Sequence, residues 1–233
     1  AIGAALVSVI ATSSGAAAAY VKEGYSNIRV GMFLEVATTL GAVSGAVLAA
    51  NVVHPAAIAV IFGGVLLVSA YLSFRPRRPE PADAPPDPLA ARLRLDGTYP
   101  TFDGPQSYHV RGVPGGFALM YVAGVLSGLL GIGSGALKVL AMDRVMRIPF
   151  KVSTTTSNFM IGVTAAASAG LYMHRGYVSP GLAMPVMLGV LAGALLGTKV
   201  LARTGTRALR RVFGVVILAL AVQMIYKGLF GGL

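Results

Sequence analysis

Residues 2–20, 55–74 and 152–173 contain no charged side chain, and three further stretches of similar length contain almost none. Residues 29–50 hold one acid, Glu35. Residues 180–201 hold only Lys199, near their end. Residues 209–230 hold Arg210 and Arg211 at one end and Lys227 at the other. A helix needs about 20 apolar residues to cross the hydrocarbon core of a bilayer. Six such runs in 233 residues leave too little polar surface to cover a water-soluble core, and only 12% of the chain is charged, against roughly 25% in soluble domains. The expected class is an all-α, polytopic integral membrane protein.

A seventh segment, 115–147, is built differently. An apolar run from Gly115 to Leu130 meets Gly131-Ile132-Gly133-Ser134-Gly135 and resumes from Ala136 to Arg147. Each glycine costs a helix roughly 1 kcal/mol relative to alanine, so the spacing predicts a break near Ser134. Broken helices at membrane depth are tolerated where they line a cavity enclosed by protein. Between the spans lies one long polar segment, 75–114. Arg75 to Pro88 is rich in proline and charge and reads as an extended linker. Beyond it, the alternation of Arg92-Leu93-Arg94-Leu95 and of Ser107-Tyr108-His109-Val110, around Asp103-Gly104-Pro105, predicts a small β-hairpin.

The chain also repeats itself. A shift of 152 positions without a gap places Thr12 on Thr164, Tyr20 on Tyr172, Gly24-Tyr25 on Gly176-Tyr177, Met32 on Met184, Gly41-Ala42 on Gly193-Ala194 and Gly45 on Gly197. Internal duplication is the usual plan of secondary transporters. The first copy has no counterpart of 115–147. Together with Ala1 standing at the mouth of an apolar run, this predicts that native sequence precedes the chain. The expected organisation is a first repeat over 1–74, N-terminally truncated and with three transmembrane helices; a linker over 75–114; and a second repeat over 115–233, a re-entrant hairpin plus three transmembrane helices.

The net charge of +11 follows this topology rather than a nucleic-acid footprint, because the basic residues sit between apolar blocks. If 115–147 crosses the membrane, Lys and Arg divide almost evenly between the two sides. If it enters and leaves on one face, every Lys and Arg outside it except Arg175 and Lys227 falls on a single side. Cytoplasmic loops carry such an excess, so the rule favours a re-entrant hairpin, inverted repeats and a cytoplasmic 75–114. There are no cysteines, which excludes disulfides and thiolate metal sites.

Two clusters can carry chemistry. At the glycine break, the second half-helix would begin with free N–H groups and the positive end of its dipole. Lys138, one turn further on, adds a full charge that is costly in a membrane. Gly131, Gly133, Ser134, Gly135 and Lys138 are thus candidate ligands for an anion; the competing role is close helix packing by glycine with Lys138 reaching to the interface. Ser153 and the candidates Thr154, Thr155, Thr156, Ser157 and Asn158 offer hydroxyl and amide donors, or bonds within and between helices. Glu35 has two readings: proton coupling, or an ion pair with Arg29 or Lys22. The histidines stand in loops or at helix ends. No metal site, catalytic set or cofactor motif is present in the pattern.

Gly128-Leu-Leu-Gly-Ile-Gly-Ser-Gly-Ala-Leu-Lys-Val139 followed by Pro149-Phe-Lys-Val-Ser-Thr-Thr-Thr-Ser-Asn158 resembles the second-half signature of the sulfite exporter TauE/SafE family. Leu6-Val-Ser-Val-Ile-Ala-Thr-Ser-Ser14 with Asn27-Ile-Arg-Val-Gly-Met-Phe33 is similar to the matching part of its first half. The resemblance implies a prokaryotic inner-membrane permease with about eight hydrophobic segments in duplicated halves, acting on sulfite, sulfonates or related small organic anions. Departures from the pattern are the missing first glycine-rich segment, Ser134 where glycine is common, and Lys138, which is not universal. The expected function is transport of a small anion by alternating access, without a cofactor, with the lipid bilayer as surroundings and with no nucleic-acid partner. The alternative is a non-transporting membrane scaffold or assembly factor that binds other helices through its Ala/Gly-rich faces. Oligomeric state is not written in the sequence.

Overall fold

The computed structural model describes residues 2–51, 55–75, 87–101, 104–130, 135–174 and 180–230. Six helices of 20–25 residues form the bundle: α1 (Ile2–Lys22), α2 (Ile28–Asn51), α3 (Pro55–Phe74), α7 (Phe150–His174), α8 (Pro180–Arg203) and α9 (Thr206–Phe230). At 1.5 Å per residue each is about 30 Å or longer, the thickness of a bilayer core. Among the described residues, windows in α2, α8 and α9 are also apolar enough to cross a membrane.

The bundle is apolar outside, and some of its polar side chains are turned inward. Helix α2 exposes Val36, Leu40, Val43 and Val47 along one stripe and buries Glu35 and Thr38 on the other side. Such a surface suits lipid, while water would expel it.

Between α3 and α7 the chain makes a cap and a broken segment. Helix α4 (Pro88–Arg92) leads to strands β1 (Gly97–Thr101) and β2 (Gly104–Tyr108), which pair antiparallel with Gly97 opposite Tyr108. The hairpin exists, but its first strand is not at Arg92–Leu95. Asp87 followed by Pro88 is an N-cap and first-turn signal strong enough to override that weak alternation. Asp87 accepts hydrogen bonds from Leu89 N and Ala90 N. The helix then closes on Arg94, which adopts φ 52°, with Leu95 N donating to Ala90 O and leaves the extended chain to start later. The linker stretch 76–86 and the turn residues 102 and 103 lie outside the described residues.

The broken segment comprises α5 (Val113–Leu130), α6 (Gly135–Leu140) and a π-helical turn (Ala141–Val145). Its two ends meet: Arg111 N donates to Met146 O at 3.1 Å. Beyond the break, six helical residues and five π-helical ones cover about 16 Å, half a bilayer core.

Packing follows the sequence repeat. The shift of 152 residues maps α1, α2 and α3 onto α7, α8 and α9, with Ile28–Asn51 falling on Pro180–Arg203 end to end. Equivalent helices pack on each other, α1 on α7 and α3 on α9. The cross pairs are reciprocal, α1 on α8 and α2 on α7. Helix α5 lies along α2 backbone to backbone. Gly41 and Gly45 face the main chain of Tyr121 and Val125, while Gly124 and Gly128 face that of Thr38 and Ala42. Small residues four apart on both helices allow this approach. The segment also joins two apolar cores: Met120 and Met142 belong to one with α2, the cap and α7, and Ala123, Leu126 and Leu137 to the other with α3 and α9.

Candidate functional site

Lys138 does not reach the interface. Its side chain is 4% exposed, and its Nζ donates to Glu35 Oε2 at 2.9 Å. Glu35 is correspondingly not paired with Arg29 or Lys22, as one sequence reading had it; Arg29 instead reaches Arg94 O in the cap. The remaining Glu35 oxygen accepts the hydroxyl of Thr164 from α7. A lysine from the broken segment, a carboxylate from α2 and a hydroxyl from α7 thus form one polar centre, its ion pair buried and its hydroxyl on the more exposed side. The cost of removing two opposite charges from water is offset only when each compensates the other and the spare lone pairs are bonded. Thr164 was not singled out as a ligand from sequence, although its identity with Thr12 across the repeat was a signal.

Gly135 is the first residue of α6, and Ser157 Oγ donates to its carbonyl at 3.2 Å. Gly131, Gly133 and Ser134 lie outside the described residues. The polar run of α7 is mostly spent on structure. Thr154 Oγ1 bonds back to Phe150 O and Lys151 O in its own helix. Thr155 Oγ1 donates to Tyr25 O, and Thr156 Oγ1 accepts from Asn27 N. Asn158 Nδ2 reaches Ser13 O in α1 at 3.4 Å. The run therefore pins α7 to α1, to the α1–α2 turn and to α6. Of the run, Ser157 is the residue bonded to Gly135.

Asn27 is a second residue that sequence reasoning passed over. Its Oδ1 caps α2 through Val30 N, and its Nδ2 donates to Leu95 O and Tyr108 Oη of the cap. Beneath the β-hairpin a cavity of about 250 Å³ is lined by Tyr25, Tyr99, Pro100, Thr101, Lys151, Gly205 and Thr206. Lys151 stands at its wall. Thirteen residues of α7 separate Lys151 from Thr164, about 20 Å along the helix axis.

A helical bundle with a lipid-suited exterior, a polar centre and a helix interrupted beside it defines a polytopic membrane protein of the transporter type. The chain belongs to the sulfite exporter TauE/SafE family, whose model matches residues 1–224. It is similar to the "Probable membrane transporter protein YunE" of Bacillus subtilis (strain 168), with 28% identity over 231 residues, 99% of this chain and 82% of the relative. Two proteins of Xylella fastidiosa (strains 9a5c and Temecula1 / ATCC 700964), each named "Probable membrane transporter protein", are 30% identical over 112 and 108 residues. These matches cover 47% and 46% of this chain and 43% and 41% of theirs. No solved structure matches the chain at a significant level.

Proposed function

We propose that the protein moves a small anion, of the sulfite or sulfonate class, across the cell inner membrane by alternating access. The buried Lys138–Glu35 pair carries this reading. A lysine inside a membrane bundle is a site at which an anion can be held, and here a carboxylate of the protein already holds it. In the proposed cycle a substrate anion displaces Glu35 from Lys138 and takes its place beside Gly135. Ser157, which donates to Gly135 O, is the member of the polar run tied to that position, and Asn158 follows it. Thr154, Thr155 and Thr156 serve to hold α7 in place. The lysine is then neutralised in both states, and the displaced Glu35 takes up a proton, so that neither group is left as an unpaired buried charge.

The remaining features are read in the same frame. The segment 115–147 is a re-entrant hairpin, supported by the bond that joins its ends and by the shortness of its second limb. The repeats 1–74 and 115–233 are inverted and rock against each other around the polar centre. The linker 75–114 faces the cytoplasm, and the cavity at Lys151 opens on that side, at the mouth of α7.

Anion binding to the purified protein tests this directly. Thermal shift is measured with sulfite, sulfate, sulfoacetate and taurine for wild type, Lys138→Ala and Glu35→Gln. One anion is expected to stabilise the wild type, to have no effect on Lys138→Ala and to bind roughly tenfold tighter to Glu35→Gln, where the internal competitor has lost its charge. An anion that stabilises all three proteins equally would exclude Lys138 as the site. A chain that binds none of the four, in wild type or in Glu35→Gln, would return the polar centre to a purely architectural role and favour the scaffold reading.

A further inference from the structure

Helix α3 ends and helix α9 begins at the same edge of the bundle, and a cavity of about 480 Å³ opens between them. Its walls are Ser73 and Phe74 from α3, Arg75 just beyond it, and Thr206, Arg207, Arg210 and Arg211 from α9. Four guanidinium groups therefore surround one space. We propose that this cavity binds the phosphate headgroup of an anionic phospholipid.

The arginines are not equivalent. Arg210 is committed: it makes two bonds to the buried carboxylate of Asp143, at 2.8 and 3.0 Å, and lies over the Phe150 ring. Arg75 lies over the Tyr71 ring, 4.7 Å from its centroid, which orients it without neutralising it. Arg207 and Arg211 are exposed and, among the described residues, have no carboxylate partner. Among the described residues, Asp143 is the one acid at this edge, and it sits behind Arg210. The cavity is left with a surplus of positive charge presented by planar, forked donors. That geometry matches two phosphate oxygens and holds them better than a point charge does.

The surroundings distinguish a lipid from a free anion. Directly beside the cavity, Tyr71 and Phe74 on α3 and Val212, Val215 and Val216 on α9 are exposed. Acyl chains attached to a phosphate in the cavity would lie on this strip. A soluble phosphate would gain nothing from it. Basic pockets between membrane helices are a known setting for phospholipid headgroups, and the volume lies within the usual range for ligand sites, roughly 300–1,000 Å³. The site is separate from the Lys138–Glu35 centre.

The full chain, purified in detergent, is titrated with phosphatidylglycerol, phosphatidylcholine or inorganic phosphate. Bound lipid is read by native mass spectrometry and stabilisation by thermal shift. The variants are Arg207→Ala/Arg211→Ala, the conservative Arg207→Lys/Arg211→Lys, and Lys22→Ala/Arg29→Ala as an equal loss of charge elsewhere. Phosphatidylglycerol is expected to bind and stabilise the wild type well beyond the other two probes. Its affinity should fall roughly tenfold or more in the double alanine variant, less in the double lysine variant and little in the remote one. Three results would each overturn the proposal: equal binding of phosphatidylglycerol to wild type and to the double alanine variant; an equal loss in the remote variant; or a shift by inorganic phosphate as large as that by the lipid.

Discussion

Lys138 and Glu35 are each tolerable only because of the other. Removing one partner of a buried pair leaves an uncompensated charge and costs about 3–5 kcal/mol, whereas replacing both with apolar residues of similar size is often close to neutral. Lys138→Met and Glu35→Leu are each expected to lower the unfolding temperature well below wild type, and the double variant to recover most of the loss. A double-mutant cycle in detergent reads this directly; additive losses would mean that the contact is not an energetic pair. Asp87 is the other residue on which much converges. Burial pushes its carboxyl up, but N–H groups of Val113, Leu89, Ala90 and Gly112 outweigh this and hold it below its ordinary value of 3.8. It therefore serves both α4 and the start of α5. A carboxyl with a lowered pKa stabilises fully above its unfolded value and loses that contribution as the pH falls through the folded one. The cap should loosen below about pH 3.8. Asp87→Ala should bring the same loosening to neutral pH, at a cost of roughly 1–2 kcal/mol. Amide exchange of α4 at pH 7 and pH 3 checks both statements.

At the scale of elements, glycine decides which helix faces close on another. Gly41 of α2 and Gly193 of α8 are equivalent in the repeat, yet Gly41 faces the main chain of α5 and Gly193 meets open space. Gly41→Leu is expected to destabilise by about 1–3 kcal/mol or more through overpacking. Gly193→Leu should change stability by less than about 0.5 kcal/mol. Comparable unfolding temperatures for the two variants would contradict the α2–α5 packing. Helix α7 shows how a polar run in a membrane helix can be architectural. Thr155 and Thr156 reach the α1–α2 turn, Ser157 the start of α6 and Asn158 the body of α1. Composition offered such a run to a substrate and to the backbone with equal plausibility, because a hydroxyl bonds either equally well.

For the whole molecule, the proposed topology assigns residues 75–111 and 199–211 to one face and Arg175 and Lys227 to the other. The chain has no cysteine, so single cysteines placed at Arg92, Arg203, Arg175 and Lys227 report sidedness without interference. A membrane-impermeant thiol reagent applied from outside intact cells is expected to label Arg175→Cys and Lys227→Cys and to spare Arg92→Cys and Arg203→Cys. Labelling that divides 92 from 203 would mean that 115–147 crosses the membrane. Much of this architecture was legible in one dimension. Apolar runs of about 20 residues mark membrane helices because the bilayer sets their length, proline and glycine mark where helices start and break, and the shift of 152 residues lines up α1, α2 and α3 with α7, α8 and α9. Those signals are local or periodic, and a chain carries them before it folds. The first β-strand was misplaced because a helix cap competes with alternation over the same few residues. What Lys138 does was hidden for a different reason. Its partner Glu35 lies on another helix, 103 positions away, and nothing in either residue's neighbourhood names the other. Only the packing of α2, α6 and α7 brings those charges together, because once they are shut away from water each must find the other.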